Sequence, residues 1–177
     1  SRVKEVADRV RDIVRRIKDE IKEHVDRLRD VIRRIKEKLE EHSRRLREIV
    51  ERIRASNLDK DEVKDKLDKM KKNAEEVHED IKRKLEDAKR RTEKTKRDIE
   101  RKLEKLERDV RRAADTVDEE LLKRLEDIIR KLLEDIKRVV KELEEVSRTL
   151  LREIEELLEE NRKSMEKLLR DIEEEAR

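Results

Sequence analysis

The sequence predicts an all-α protein: an up-down-up bundle of three long, nearly straight antiparallel helices. The chain of 177 residues contains no Gly and no Pro, the residues that most turns and flexible linkers require. Its aliphatic residues recur at helical spacing among Glu, Lys and Arg, which favour helix, and nowhere alternate with polar residues over the length of a strand. Two short breaks divide this pattern into three segments, and short connections make successive helices antiparallel neighbours.

The first break has the features of a helix end followed by a helix start. Asn57 is expected to take the left-handed conformation that closes the preceding helix. Asp59 is a candidate N-cap, and Glu62, three residues later, completes an Asp version of the capping box. Leu58 and Val63 have the spacing of a hydrophobic staple. The pattern therefore predicts a capped and stapled start for the second helix.

The second break repeats this device. Asp118 is the candidate N-cap, and Val117 and Leu122 have the staple spacing. We expect the three helices to form a single elongated bundle over residues 1–177, with each helix about 80 Å long at ~1.5 Å rise per residue. The predicted helices cover residues 2–55, 60–114 and 118–176.

Each predicted helix contains a repeat of 18 residues. In the third helix Ile136, Ile154 and Ile172 are in register, and in the first helix His24 and His42 occupy equivalent positions. Eighteen residues make five turns of an undistorted helix, so residues with this period stay on one straight stripe and the helices need hardly supercoil. The second helix has the narrowest stripe and fills several of its positions with small or polar residues, namely Ala74, Ala88, Thr92, Thr95 and Ala113.

The whole chain resembles computationally designed, parametrically generated helical bundles, some of which contain buried hydrogen-bond networks. The resemblance rests on the 18-residue period, the matched stapled loops, the lack of Gly, Pro and aromatic residues, and the dense surface charge. A natural spectrin-like or apolipoprotein-like bundle is the alternative, but such chains usually carry aromatic residues or Pro. The resemblance implies a synthetic protein with no natural cellular location and no inherited activity.

The composition limits the environments in which the protein can act. Cysteine is absent, which removes disulfides, thiolate metal sites and cysteine nucleophiles. No segment approaches the ~20 apolar residues that a membrane span needs, and no signal peptide opens the chain. We therefore expect a soluble protein that is compatible with cytoplasmic expression.

The charges are distributed unevenly along the chain. The first helix holds 19 Lys and Arg against 13 Asp and Glu, the second 21 against 16, and residues 115–177 hold 14 against 21. An acidic third helix is expected to pack between its two basic partners. Acidic residues are interspersed throughout the basic helices, and no aromatic residue is available for base stacking or membrane anchoring. The sequence therefore predicts no specific nucleic-acid partner, no membrane and no small-molecule partner.

Polar residues on the apolar stripes are the candidates for a functional site, and they fall at two levels when the antiparallel helices are laid side by side. Pairing the helices about their loops places His42 level with Asn73, with Asn161 and Ser164 at about the same height. A central amide in a Leu-rich stripe is costly unless it is bonded. We therefore expect a buried hydrogen-bond network of His42, Asn73, Asn161 and Ser164.

A second polar layer is expected to join His24 to Thr92 and Thr95. The alternative for the histidines is a metal site or a catalytic base. His24 and His42 lie ~27 Å apart along one helix and cannot share a metal, while His78 falls between the two levels at the edge of its stripe. No activated nucleophile or pocket is indicated. We therefore predict a structural network, with no catalytic, cofactor-binding or metal-binding residues.

These observations predict a structural scaffold or assembly protein that is not an enzyme and needs no cofactor. The alternatives are a self-associating bundle subunit, a pH-responsive switch that uses the buried histidines, and a polyanion-binding helical protein. The stripe widths of the first and third helices fit a monomer. The narrow second helix leaves a homo-oligomer through helices 1 and 3 as the alternative assembly.

Overall fold

The computed structural model, which describes residues 2–115 and 118–175, contains three α-helices. They are α1 (Arg2–Ala55), α2 (Lys60–Ala114) and α3 (Glu119–Glu175). No strand occurs among the residues described, so the predicted all-α, three-helix class is confirmed. The helix α3 begins one residue later than the sequence predicted, because the carbonyl of Asp118 accepts the first helical hydrogen bond, from the N–H of Leu122 at 2.8 Å.

The contacts of the chain group into two compact units, and each helix contributes a segment to both. The first unit consists of Ser1–Leu28 and Lys89–Thr149. The second consists of Arg29–Ala88 and Leu150–Arg177. Each unit is therefore built from three helical segments that bury one side of each segment against the other two.

The core of the first unit is a single aliphatic cluster with members on all three helices. Half-buried residues such as Val25 and Leu132 pack against its edges. Burying such side chains contributes roughly 25 cal/mol per Å² of apolar surface, so this cluster is the main source of stability in the unit. Its buried members are Val10, Val14, Ile17, Ile21, Ile99, Leu106, Ile129, Ile136 and Leu143.

The second unit contains two aliphatic clusters. From the mid-helix cluster to the loop-side cluster, both given below, residue numbers rise on α1 and α3 and fall on α2. The helix α2 therefore runs antiparallel to α1 and α3 in this unit. The loop-side cluster consists of Leu46, Val50, Ile53, Val63, Leu67, Met70, Ala74, Met165, Leu169 and Ile172. The mid-helix cluster consists of Ile32, Ile35, Leu39, Ile81, Leu85 and Ile154.

Ion pairs join the helices at the surface of each unit. The acidic helix α3 supplies glutamates to basic residues of both neighbours. In the second unit Lys38 of α1 also pairs with Asp80 of α2, and this contact lowers the pKa of the Asp80 carboxyl. Exposed pairs of this kind contribute little individually. The pairs made by α3 are Lys36 to Glu153 at 2.6 Å, Arg54 to Glu175 at 2.7 Å, Lys71 to Glu173 at 2.7 Å and Lys96 to Glu144 at 2.9 Å.

The first loop is closed by side chains on both sides. Asp59 accepts the backbone N–H of Glu62 on Oδ1 at 2.9 Å, which is the N-cap bond that the sequence predicted. Leu58 packs against the loop-side cluster, which includes Val63. The prediction for Asn57 is wrong, because none of the residues described has a positive φ.

The end of α1 explains why a left-handed Asn57 is unnecessary. The backbone N–H and the hydroxyl of Ser56 both donate to the carbonyl of Arg52, at 3.0 and 2.6 Å. A carbonyl satisfied in this way does not need the capping bond that a left-handed residue would supply. The staple expected at the second loop involves Val117, which lies outside the described residues, as does Ala176 at the predicted end of the third helix.

We expect Asp59→Ala to lower the free energy of unfolding by ~1 kcal/mol, because the N–H groups of the first turn of α2 lose their acceptor. Denaturant unfolding followed by circular dichroism would measure this change. The matched control is Asp26→Ala, which removes an exposed Asp from the interior of α1. Equal stability of the two variants would show that the cap is energetically unimportant.

Candidate functional site

The main polar layer lies in the second unit, between the mid-helix cluster and the loop-side cluster. On α1, His42 and Ser43 lie between Leu39 and Leu46, which belong to these two clusters. On α3, Asn161 stands 18 residues after Leu143, a core residue, and so takes a position where the repeat elsewhere has a buried leucine. The layer therefore replaces aliphatic packing with side chains that can form hydrogen bonds.

Asn161 is the centre of the observed hydrogen bonds in this layer. Its Nδ2 donates to Ser43 Oγ at 2.9 Å, which links α3 to α1. Its Oδ1 lies 3.1 Å from His78 Nε2, which links α3 to α2. Because Oδ1 accepts, the bond assigns the Nε2–H tautomer to His78. One half-buried amide thus connects all three helices.

The membership of this layer differs from the network that the sequence predicted. His42 is buried, with 9% of its surface exposed, yet its Nε2 has no hydrogen-bond partner. Asn73 and Ser164 are exposed. The correction has a rotational cause: neighbouring residues on a helix differ by about 100°, and Ala74 takes the core-facing position beside Asn73, as Met165 does beside Ser164.

The surroundings of His42 favour the neutral imidazole. Burial is the main cause of its lowered pKa, because removing a cation from water is unfavourable. The nearby His78 and Arg45 lower the pKa further by charge repulsion. Both imidazoles belong to the second unit, His42 on α1 and His78 on α2.

The second polar layer lies in the first unit. His24 is buried, with 4% of its surface exposed, and its Nε2 shares a hydrogen bond of 2.9 Å with Thr92 Oγ1. Thr95 is half-buried and does not join this bond. Burial lowers the pKa of His24, and Arg27 lowers it further against the opposing effect of Glu20. The layer therefore contains a bond that joins α1 to α2.

Three buried or half-buried polar residues were missed or misplaced by reasoning from the sequence. His78 was assigned to a level between the layers, and Ser43 was not considered. Ser147, also not considered, is buried in the first unit with 3% of its surface exposed, and its Oγ has no hydrogen-bond partner. Spacing could have identified it, because Ser147 follows the core residue Leu143 by four positions and precedes Ile154 by seven.

Three grooves of the second unit reach the Asn161 layer. The groove between α2 and α3 has a volume of about 660 Å³ and is lined by His78. The groove between α1 and α3, of about 590 Å³, is lined by Ser43 and Asn161. The groove between α1 and α2, of about 380 Å³, is lined by His42. Small or polar side chains at this level leave space for a groove on each side, although the Nε2 atom of His42 is itself buried.

Within residues 2–115 and 118–175, no group of three or more His, Cys, Asp or Glu side chains is arranged to hold a metal ion. None of the helices, over the part of the chain that is described, is both long and apolar enough to cross a membrane.

No protein-family model matches the chain, and no curated protein matches it. A solved structure described as a "Computationally designed three helix bundle" is similar, with a TM-score of 0.46 and 17% sequence identity. The match covers 96% of this chain and 90% of that chain.

We expect Asn161→Leu to raise or barely change the free energy of unfolding, because the amide is replaced by an alkyl group between two aliphatic clusters. Ser43 and His78, which lose their partner, are only half-buried and can bond to water. Guanidinium unfolding would measure the change, with the exposed Asn73→Leu as the control. A loss above ~3 kcal/mol would show that the bonds of Asn161 are a net source of stability.

We expect stability to fall as the pH drops below 6.5, the ordinary pKa of His. The folded-state pKa values of His24 and His42 are lowered, so the unfolded chain binds more protons, and the stability present above pH 6.5 is lost on acidification. The loss at pH 5 cannot exceed about 2 kcal/mol for each histidine, because the interval is 1.5 pH units.

The measurement compares wild type with a His24→Asn, His42→Asn double variant in guanidinium at pH 7.5 and pH 5. Most carboxylates remain ionised over this interval. Wild type should lose more stability than the double variant. Equal losses would show that neither histidine resists protonation in the folded state.

Proposed function

We propose that this chain is a designed helical bundle that serves as a structural scaffold, without catalytic activity, substrate or cofactor. The observation that carries the proposal is the use of the interior polar groups. The bonds from His24 to Thr92 and from Asn161 to Ser43 and His78 all join different helices. These side chains are engaged in holding the helices together, which is the role expected of a scaffold.

Aliphatic contacts supply stability to this scaffold, and hydrogen bonds supply specificity. Aliphatic residues with essentially no exposed surface come from all three helices, including Ile17, Ile81 and Ile154, and their burial supplies most of the stability. Aliphatic contacts are non-directional and tolerate several pairings. Directional hydrogen bonds favour one pairing and one register over the alternatives.

A synthetic origin is supported by features that recur along the whole chain. The three helices have 54, 55 and 57 residues, and no Gly, Pro, Cys or aromatic residue interrupts them. Glu, Arg and Lys are the most frequent charged residues, with acidic residues in the first turn of each helix. We infer a soluble protein suited to cytoplasmic production.

A pH-responsive device is a second candidate. The lowered pKa values of His24 and His42 favour it, because each histidine must take up a proton in a buried position as the pH falls. A scaffold would lose some stability on acidification yet keep its helices and its mass. A switch would open or change its assembly between pH 7.5 and pH 5, so light scattering and circular dichroism at both pH values distinguish the two.

We expect a single-chain mass at pH 7.5 over about a hundredfold range of protein concentration, measured by light scattering coupled to size exclusion. The physical reason is that α1 and α3 pack their aliphatic stripes into the clusters within the units of one chain. A mass that rises with concentration would favour the self-associating subunit over the monomeric scaffold.

We expect no nanomolar complex with duplex DNA at about 200 mM salt, because acidic residues accompany the basic residues on all three helices. Fluorescence anisotropy with a labelled duplex would test this. Weak binding that disappears as the salt rises is the result expected of a chain with many lysines and arginines. A tight complex that persists would favour a polyanion-binding protein.

A further inference from the structure

We propose that His42, His78 and Asn161 form a binding site for one divalent transition-metal ion of the copper and nickel type. The three residues come from three different helices and share one layer of the second unit. Leu39 and Leu46 flank the layer on α1. A metal ion here would join the helices through coordination as well as through hydrogen bonds, which goes beyond a purely passive scaffold.

The unpartnered nitrogen of His42 is the first observation that points to a ligand. The Nε2 atom is buried and has no hydrogen-bond partner, although buried polar atoms are nearly always bonded. Leaving such an atom unsatisfied costs about 1–3 kcal/mol. A metal ion is an electron-pair acceptor, so coordination would satisfy the nitrogen as a hydrogen-bond donor would.

The spacing of His78 and Asn161 is the second observation. Two ligands at neighbouring coordination positions, each about 2.0–2.2 Å from the metal, are separated by about 3 Å. His78 Nε2 and Asn161 Oδ1 are 3.1 Å apart. The pair can therefore take neighbouring positions on one metal ion once the ring and the amide turn to direct their lone pairs at the ion. The bond from Asn161 Nδ2 to Ser43 Oγ holds the amide with Oδ1 turned toward His78.

Coordination requires one proton to change place. His78 donates its Nε2–H to Asn161 in the metal-free layer, so metal binding at Nε2 moves this proton to Nδ1 through solvent, without a change of net charge on the ring. The groove between α2 and α3 gives His78 the necessary access to water. The metal ion loses a bound water for each protein ligand that it gains.

The protonation of His42 suits metal binding at neutral pH. Its lowered pKa keeps the imidazole neutral, and only a neutral imidazole coordinates a metal. Acidic side chains line the grooves that reach the layer, including Glu76 beside His42 and Glu75 beside His78. These carboxylates offset part of the charge of a divalent cation that enters by these routes.

The metal class follows from the ligands. Imidazole nitrogens suit copper, nickel and zinc better than magnesium or calcium, and affinity generally rises to a maximum at Cu²⁺. Cu²⁺ is therefore the most sensitive probe, and its electron paramagnetic resonance spectrum reports coordinated nitrogen directly. The chain has only three histidines, so His24, which belongs to the other unit, supplies a matched control.

The test is a titration of the full chain with Cu²⁺ at pH 7.5, read by electron paramagnetic resonance and by isothermal calorimetry. Wild type and His24→Asn are expected to bind one equivalent with two coordinated imidazole nitrogens. His42→Leu, which fills the buried position with an apolar group, and His78→Gln, which keeps a hydrogen-bonding group beside Asn161, should each raise the dissociation constant at least tenfold and show fewer coordinated nitrogens.

A second measurement guards against variants that fail to fold. Circular dichroism confirms helix content, and the guanidinium midpoint is measured with and without Ni²⁺, which should raise it for wild type and His24→Asn but not for the two layer variants. The proposal is overturned if wild type coordinates no more imidazole nitrogen than His42→Leu, or if His24→Asn weakens binding as much as His78→Gln does. Binding that survives in all variants would be that of surface carboxylates and would also refute it.

Discussion

The burial of one narrow aliphatic stripe per helix is the constraint on which the rest of the structure depends. Each long helix satisfies its own backbone hydrogen bonds, so the backbone contributes nothing to the choice of neighbour. With 59% of the residues charged and 32% apolar, the apolar side chains must lie almost entirely on the faces where helices meet. Fully buried positions such as Ile17, Ile99 and Ile136 show this arrangement, one on each helix.

Polar residues on such a stripe differ in whether side chains of the neighbouring helices satisfy their hydrogen bonds. Asn161 lies between two aliphatic clusters, and its amide bonds to side chains from the other helices, Ser43 and His78. His42 and Ser147 are less well satisfied, because each has a buried atom without a partner. The aliphatic clusters offset the cost of these unsatisfied groups, and the two polar layers add directionality that the clusters lack.

Local features of the fold were predictable because their causes lie within a few residues of each other. The start of α2 is an example: the Asp59 side chain caps a backbone N–H only three residues away, whatever the rest of the chain does. The all-α class likewise follows from helical spacing without strand alternation. The left-handed Asn57 was predicted wrongly, because Ser56 caps the same helix end by two bonds to one carbonyl.

The sequence by itself determined that there are three helices and which face of each is apolar, because helical period is a local property. The tertiary structure alone decided which polar residues bond. Loop pairing gives the height of Asn73 and Asn161 along the bundle, but a bond also depends on the rotation of each helix about its axis. Ala74 faces the core at that height, so Asn73 is turned outward, and His78, one turn further along α2, reaches Asn161 instead. A long side chain can reach a partner one helical turn away. Which of two residues on neighbouring turns bonds to Asn161 is therefore decided only by how the helices pack.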